Sequence, residues 1–286
     1  TATTLTLTGT SVASETVTGE FTGTVTATNI NLVGGSGHAT SDATGTFSGN
    51  VTAAINMDDT TGDALLVFNG SSAQDITGAL TVSADGEGTL TLSNTASTTF
   101  STTVGTDSKS LLLTTVSTGS VAVFDAALHS DTTTVTGTGS IKFEVDGNQA
   151  DVAYNLSTAG TGKVILGSGI AAGEIALQTL ALTNVTAGTT IELPSNFTTG
   201  NIIFVDDTNS DVTDSSVALD DFTVTDTALV DYSLVLGSTL DGASGLFTDN
   251  NTQWLIGATA KSAATTASEL GITTQEATAL STANTA

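Results

Sequence analysis

Thr4-Leu5-Thr6-Leu7-Thr8 alternates threonine and leucine at every step. A period of two puts both leucines on one face and the threonines on the other, the pattern of a half-buried β-strand. The same alternation recurs in Phe21-Thr22-Gly23-Thr24-Val25, Gly88-Thr89-Leu90-Thr91-Leu92, Ser140-Ile141-Lys142-Phe143-Glu144-Val145 and Phe222-Thr223-Val224-Thr225. Ala64-Leu65-Leu66-Val67-Phe68, Lys163-Val164-Ile165-Leu166 and Asn201-Ile202-Ile203-Phe204-Val205 are nearly all apolar, which predicts strands buried on both faces. Between the runs stand Asp58-Asp59-Thr60-Thr61-Gly62, Asp85-Gly86-Glu87-Gly88, Asp146-Gly147-Asn148 and Ala187-Gly188. These are turn residues that take positive φ at little cost.

A turn signal arrives about every 8–12 residues, the spacing of an all-β sandwich, barrel or solenoid. Fragments such as Thr-Gly-Thr-Gly at 136–139 recur, but no period of fixed length runs from end to end. A regular solenoid with one motif per coil is therefore not expected. An irregular β-helix with coils of varied length and a tandem β-sandwich both stay open. Pro194, the single proline, marks a strand end, because proline cannot donate to a ladder.

Composition agrees. Hydrophobic residues make up 38% of the 286 residues, enough for a core. Charged residues are only 12%, about half the usual share. Threonine and serine must then supply the surface, and threonine's branched Cβ suits a pleated sheet.

Asp and Glu number 29 against 4 Lys, for a formal net charge of −25. That excludes nucleic acid as a partner, since phosphate contact rests on basic side chains. It also disfavours an anionic membrane surface. The charge attracts cations, with Ca²⁺ the extracellular candidate, although like charge also serves solubility alone. The chain has no cysteine, so disulfides and thiolate chemistry are excluded. No run approaches the ~20 apolar residues of a membrane span, so no membrane insertion is expected. Thr1 in place of Met suggests a removed leader or a mature fragment.

Three regions are expected. Residues 1–199 form a Thr/Gly-rich β domain, 200–257 an Asp-rich β region, and 258–286 an Ala/Thr-rich helical tail or linker. In the tail, Thr273-Thr274-Gln275-Glu276 reads as a capping box, with Ile272 as its staple.

Few constellations could carry chemistry. The only histidines, His38 and His129, read as exposed loop residues, since Ser and Asp are too abundant here for a triad match to mean much. Gly34-Gly35-Ser36-Gly37 lacks the lysine of a phosphate loop and reads as a flexible loop. Glycoside cleavage would need carboxylates in a cleft with aromatic platforms, but aromatics are 5%. No catalytic residue and no cofactor-binding residue is expected, and the chain reads as no enzyme.

The metal candidate is the run from Asp206 to Asp214. Counted from Asp207 it reads Asp-x-Asn-x-Asp, the opening of an oxygen-ligand calcium loop. Asp206, Asp207, Asn209, Asp211 and Asp214 are the candidate ligands. Val212 replaces the turn glycine and Ala218 the closing glutamate, so the run is no EF-hand. Asp58, Asp59 and Asp63 form a weaker candidate. For both, the alternative is an acidic, solvated turn. Threonine ladders such as Thr22-Thr24-Thr26-Thr28, Thr89-Thr91 and Thr132-Thr134-Thr136-Thr138 could bind ice if they stood at the same place in every coil. They are unevenly spaced along the chain and read as solvated strand faces.

The Thr, Gly, Ala and Asp richness, with no cysteine and almost no basic residues, resembles bacterial or archaeal surface-layer proteins and secreted adhesin passengers. Gly78-Ala79-Leu80-Thr81-Val82 and Thr158-Ala159-Gly160-Thr161-Gly162-Lys163-Val164-Ile165-Leu166 are similar to β-helical passenger repeats. The resemblance implies an exported, extracellular protein at the cell surface, a homo-oligomer that self-assembles into a lattice or filament, often with Ca²⁺. The alternative is a monomeric adhesin or glycan-binding module facing a cell-surface glycan.

Overall fold

The structure is a computed structural model. It describes residues 3–12, 14–36, 42–59, 62–145, 153–158, 162–179, 181–183, 185, 187–207, 221–236 and 253–284. The chain winds as a parallel β-solenoid of about seven turns. Of the two open architectures, the irregular β-helix is the one adopted.

One long sheet runs β1 (Thr4–Thr8), β3 (Val25–Val33), β5 (Val51–Asp58), β7 (Gln74–Thr77), β10 (Ser97–Phe100), β12 (Val121–Phe124), β14 (Ser140–Phe143), β16 (Lys163–Leu166), β19 (Thr189–Glu192), β21 (Phe222–Val224), with β8 (Leu80–Val82) beside β5. The facing sheet runs β2 (Val17–Phe21), β4 (Ala43–Phe47), β6 (Ala64–Phe68), β9 (Glu87–Leu92), β11 (Leu111–Val116), β13 (Ser130–Gly137), β15 (Ala153–Thr158), β18 (Ala181–Thr183). A smaller mixed sheet holds β17 (Ile175–Thr179), β20 (Gly200–Asp207), β23 (Gln253–Ala260) and β22 (Val230–Leu236).

Register shows why no repeat is visible in sequence. Thr4 pairs with Asn29, and Ile55 with Leu80, each an advance of 25 residues, whereas Ala43 pairs with Ala64, an advance of 21. Phe100 pairs with Phe124, an advance of 24, but Phe124 pairs with Phe143, an advance of 19. Thr189 pairs with Phe222, an advance of 33. Corner loops absorb these differences while the strands stay stacked.

The core is the narrow space between the two long sheets. Phe21 stacks on Phe47 at 4.9 Å, and Phe47 lies 5.9 Å from Phe68, all on the second sheet. Phe68 meets Phe100 of the first sheet edge-on at 5.7 Å, and the column continues through Phe124 to Phe143. One aromatic column therefore crosses from sheet to sheet along the axis.

Where their side chains are described, the strands of the long sheets bury chiefly one face. In β6, Ala64, Leu66 and Phe68 are buried, whereas Leu65 and Val67 reach solvent. In β16, Val164 and Leu166 are buried, while Lys163 and Ile165 face outward. The expectation of burial on both faces fails here because a solenoid covers each sheet on its inner side alone. It holds for Ile202, Phe204, Ile203 and Val205 of β20, all buried in the mixed sheet. Phe21 through Val25 is not one strand either: β2 stops at Phe21, a corner follows, and β3 starts at Val25.

Pro194 stands two residues beyond β19, and its carbonyl accepts the Phe197 N–H in a turn. Helices α1 (Ala263–Leu270) and α2 (Thr274–Asn284) follow the last strand. Ser262 caps α1, and Gly271 ends it at φ 67°. At α2 the capping box forms as read. Thr273 donates its N–H and hydroxyl to the Glu276 carboxylate, each at 2.8 Å, and the Glu276 N–H donates to Thr273 Oγ1 at 3.3 Å. Those bonds hold the Glu276 carboxyl below its ordinary pKa. Among the described residues no helix is long and apolar enough to cross a membrane.

Candidate functional site

Asp206 and Asp207 close β20, where Asp206 lies in register with Gln178 of β17 and Gln253 of β23. Asn209, Asp211 and Asp214 lie outside the described residues. Among the described residues no group of three or more acids or histidines is gathered closely enough to hold a metal ion.

The weaker trio has been put to structural use. Asp59 accepts the Ala64 N–H and the Gly88 N–H, both at 2.6 Å, so its carboxylate ties one coil corner to the next. Burial raises its pKa, the two backbone bonds oppose that rise, and Asp63 and Glu87 nearby add to it. Asp58 offers its carbonyl to the Gly34 N–H. The Asp63 N–H donates to Asp42 at 3.3 Å.

A related knot was not legible in sequence. The Ser110 hydroxyl meets Asp85 Oδ1 at 2.8 Å and also contacts Asp131, while the Ser110 N–H donates to the same Asp85 oxygen at 2.9 Å. The hydroxyl has one proton, so it can donate to one carboxylate at a time. Bonds from Ser110 hold the Asp85 carboxyl below its ordinary pKa. The three residues are 21 and 25 positions apart, about one coil, and only the winding brings them together.

His129 corrects an expectation: it is 5% exposed. Its N–H donates to Val104, its carbonyl accepts from Leu111, and Nδ1 lies 3.1 Å from an exposed Asp107 carboxylate. Neighbouring Ser130 turns its hydroxyl to the Thr132 carbonyl at 2.8 Å. His38 and Gly37 lie outside the described residues, but Gly34 and Gly35 are buried. A Cβ on Gly34 would sit 1.6 Å from the Gly62 carbonyl oxygen, so the start of this segment is a close crossing of two coils, not a loose loop.

Among the described residues a cavity of ≈ 380 Å³ lies beside β16 and β19, near the segment entering β22. Lys163, Glu192, Pro194, Asp226 and Tyr232 line it. Lys163 Nζ lies 2.6 Å from Glu192. The Tyr232 hydroxyl donates to the Phe197 carbonyl at 2.8 Å, its N–H donates to Asp226 at 2.7 Å, and its ring stacks on Phe197. Burial, and then the Asp226 charge, push the Tyr232 phenol up. This floor offers an ion pair, a carboxylate and an aromatic ring.

Comparison with protein-family models, with curated proteins and with solved structures yields no match.

Proposed function

We propose that the chain is a non-enzymatic, extracellular structural protein whose solenoids join end to end into a filament or surface layer. The observation that carries this reading is the open coil formed by β1 and β2. Among the described residues each pairs on one side only, with β3 and β4 respectively, so the two strands stand at the same edge of both sheets. Leu5, Leu7 and Phe21 there pack on the core while remaining partly exposed. The edge of a parallel ladder with apolar side chains beneath it is a template for another coil of the same kind. Contact that repeats head to tail propagates when its rotation does not close.

The terminal strand β1 is itself paired within its own chain, Thr4 to Thr8 against Asn29 to Val33. It acts as the docking edge and is not a strand lent to a neighbour. Sedimentation velocity over a concentration series tests this, with wild type expected to form end-joined species. The Leu5→Lys, Leu7→Lys variant should keep its β circular dichroism and sediment as a monomer. A wild type that stays monomeric throughout overturns the reading.

Calcium stabilisation rests on the aspartates from Asp206 to Asp214. A ligand that binds only the folded state raises its melting temperature. An unchanged melting temperature between millimolar Ca²⁺ and chelator sinks that part. The second reading, a monomeric glycan-binding adhesin, is favoured by the Lys163–Tyr232 cavity. It expects calorimetric binding of surface oligosaccharides that Tyr232→Ala abolishes.

A further inference from the structure

Thr89, Thr91, Thr132 and Thr134, from runs that look scattered along the chain, fall with other threonines into two rows on the outer face of the second long sheet. One row runs Thr18, Thr44, Leu65, Thr89, Leu113, Thr132. The other runs Glu20, Thr46, Val67, Thr91, Thr115, Thr134. All twelve side chains reach solvent. Strands in one sheet stand about 4.8 Å apart, and alternate residues along a strand about 6.7 Å apart, so the rows form a rectangular grid.

Three properties of this grid narrow its occupant. First, it is neutral. In a chain of net charge −25, Glu20 at the end coil is the only charged member of the twelve. Second, it is stiff. Threonine and valine are held at χ1 by their branched Cβ, so their hydroxyls and methyls keep lattice positions before anything binds. Third, its hydroxyls are available. None of the eight threonine hydroxyls is engaged with another group among the described residues. On the opposite sheet, Thr77 and Thr81 spend theirs on Thr52 and Asn56. A second copy laid side by side on this face, unlike one joined at the end coil, would bring two chains of net charge −25 together along their whole length, and a crystalline polysaccharide would need aromatic rings in the rows, where there are none. What remains is a neutral, periodic partner that takes hydrogen bonds and packs against methyl groups.

We propose that this face binds ice: its regular hydroxyls and methyls order a layer of water that merges with the crystal surface. Each hydroxyl both donates and accepts, as water in ice requires. The methyl groups between them hold water in cages that the hydroxyls anchor.

The test is crystal shaping and thermal hysteresis of the full chain in a nanolitre osmometer, with partitioning into a slowly growing ice hemisphere. Wild type is expected to facet ice and to enrich in the hemisphere. Thr91→Lys at the grid centre should abolish both, and Thr46→Lys, two coils away, should do so independently. Thr99→Lys, on the outer face of the other sheet, should leave both intact. Circular dichroism establishes that each variant is folded. Wild type that neither shapes ice nor enriches overturns the proposal. So does a folded Thr91→Lys or Thr46→Lys protein as active as wild type, or equal loss in Thr99→Lys. Binding to microcrystalline cellulose, or dimerisation through this face, with no effect on ice also overturns it.

Discussion

Asp59 shows how a single acid earns its place in a winding chain. Its two carboxylate oxygens accept backbone N–H groups from Ala64 and from Gly88, one coil further on. Asp59→Asn keeps one acceptor and turns an N–H₂ toward a backbone donor, so one buried N–H loses its partner. Such a loss costs about 1–3 kcal/mol. Urea denaturation should show the midpoint falling with an unchanged slope. The pH dependence has a definite sign. The folded pKa of Asp59 is raised above its unfolded value. Its contribution is therefore greatest below the unfolded pKa and declines as pH rises through the folded one. Asp85 runs the other way: its folded pKa is lowered, so its contribution is present above the unfolded pKa and lost as pH falls through the folded one. Replacing each acid by Asn and comparing midpoints at mildly acidic and neutral pH separates the two signs. Gly78 makes a different demand. It sits at φ 155°, and a Cβ there would lie 2.0 Å from the Ala53 carbonyl oxygen, so only glycine lets the chain pass β5 at that corner.

At the scale of elements, the aromatic column is what locks one coil to the next. Phe100 is 1% exposed and lies between Phe68, edge-on, and Phe124, stacked at 5.3 Å. It is where the column changes sheets. Phe100→Ala should cost about 3–5 kcal/mol, the transfer and cavity terms of a buried ring. Phe100→Leu should cost less, because Leu92 already occupies the analogous place on the other sheet in register with Phe68. Equal losses for the two variants in thermal melts would show that the ring contacts count for more than filled volume. The polar corner beside the column follows the same logic. Asn94 and Gln74 are both buried and hydrogen-bonded to each other at 2.9 Å. Gln74 also donates to the Phe47 and Gly49 carbonyls. These side chains satisfy carbonyls that a turning chain cannot pair in a ladder.

For the whole molecule, charge and shape pull against each other. A solenoid contacts chiefly its neighbouring coils, so its stability is nearly a sum of coil-to-coil terms. Against that sum stands the self-repulsion of a net charge of −25. Screening weakens the repulsion as the Debye length shrinks from about 30 Å at 0.01 M to about 8 Å at 0.15 M salt. The melting temperature should therefore rise with NaCl over that interval. CaCl₂ at matched ionic strength separates screening from a bound ion. An equal rise in both salts assigns the effect to screening, and an excess in CaCl₂ assigns it to a site. A melting temperature that falls with NaCl would show that attractive pairs such as Lys163–Glu192 and Lys261–Glu269 outweigh the repulsion.

The sequence by itself determined the period of two, the all-β class, the α2 capping box and a composition poor in charge and rich in threonine. Each is a local matter: alternation in Thr4 to Thr8, or a glutamate three residues after Thr273, needs only nearby residues to act. Tertiary structure decided everything that depends on where one coil lies over the next. It chose solenoid over sandwich, because alternation says which side of a strand is buried but not what buries it. It left Leu65 and Val67 at the surface although their run looked wholly buried, since a solenoid wraps only one face of each strand. It carried His129 inside, bound Ser110 to two aspartates about a coil away in either direction, and spent Asp59 on a corner. It also set Thr44, Thr89 and Thr132 in line. Their separations of 45 and 43 residues hide the alignment, because intervening coils differ in length and the loops take up the difference. Register across stacked strands is fixed by backbone hydrogen bonds between distant residues, and no window along the chain contains both partners.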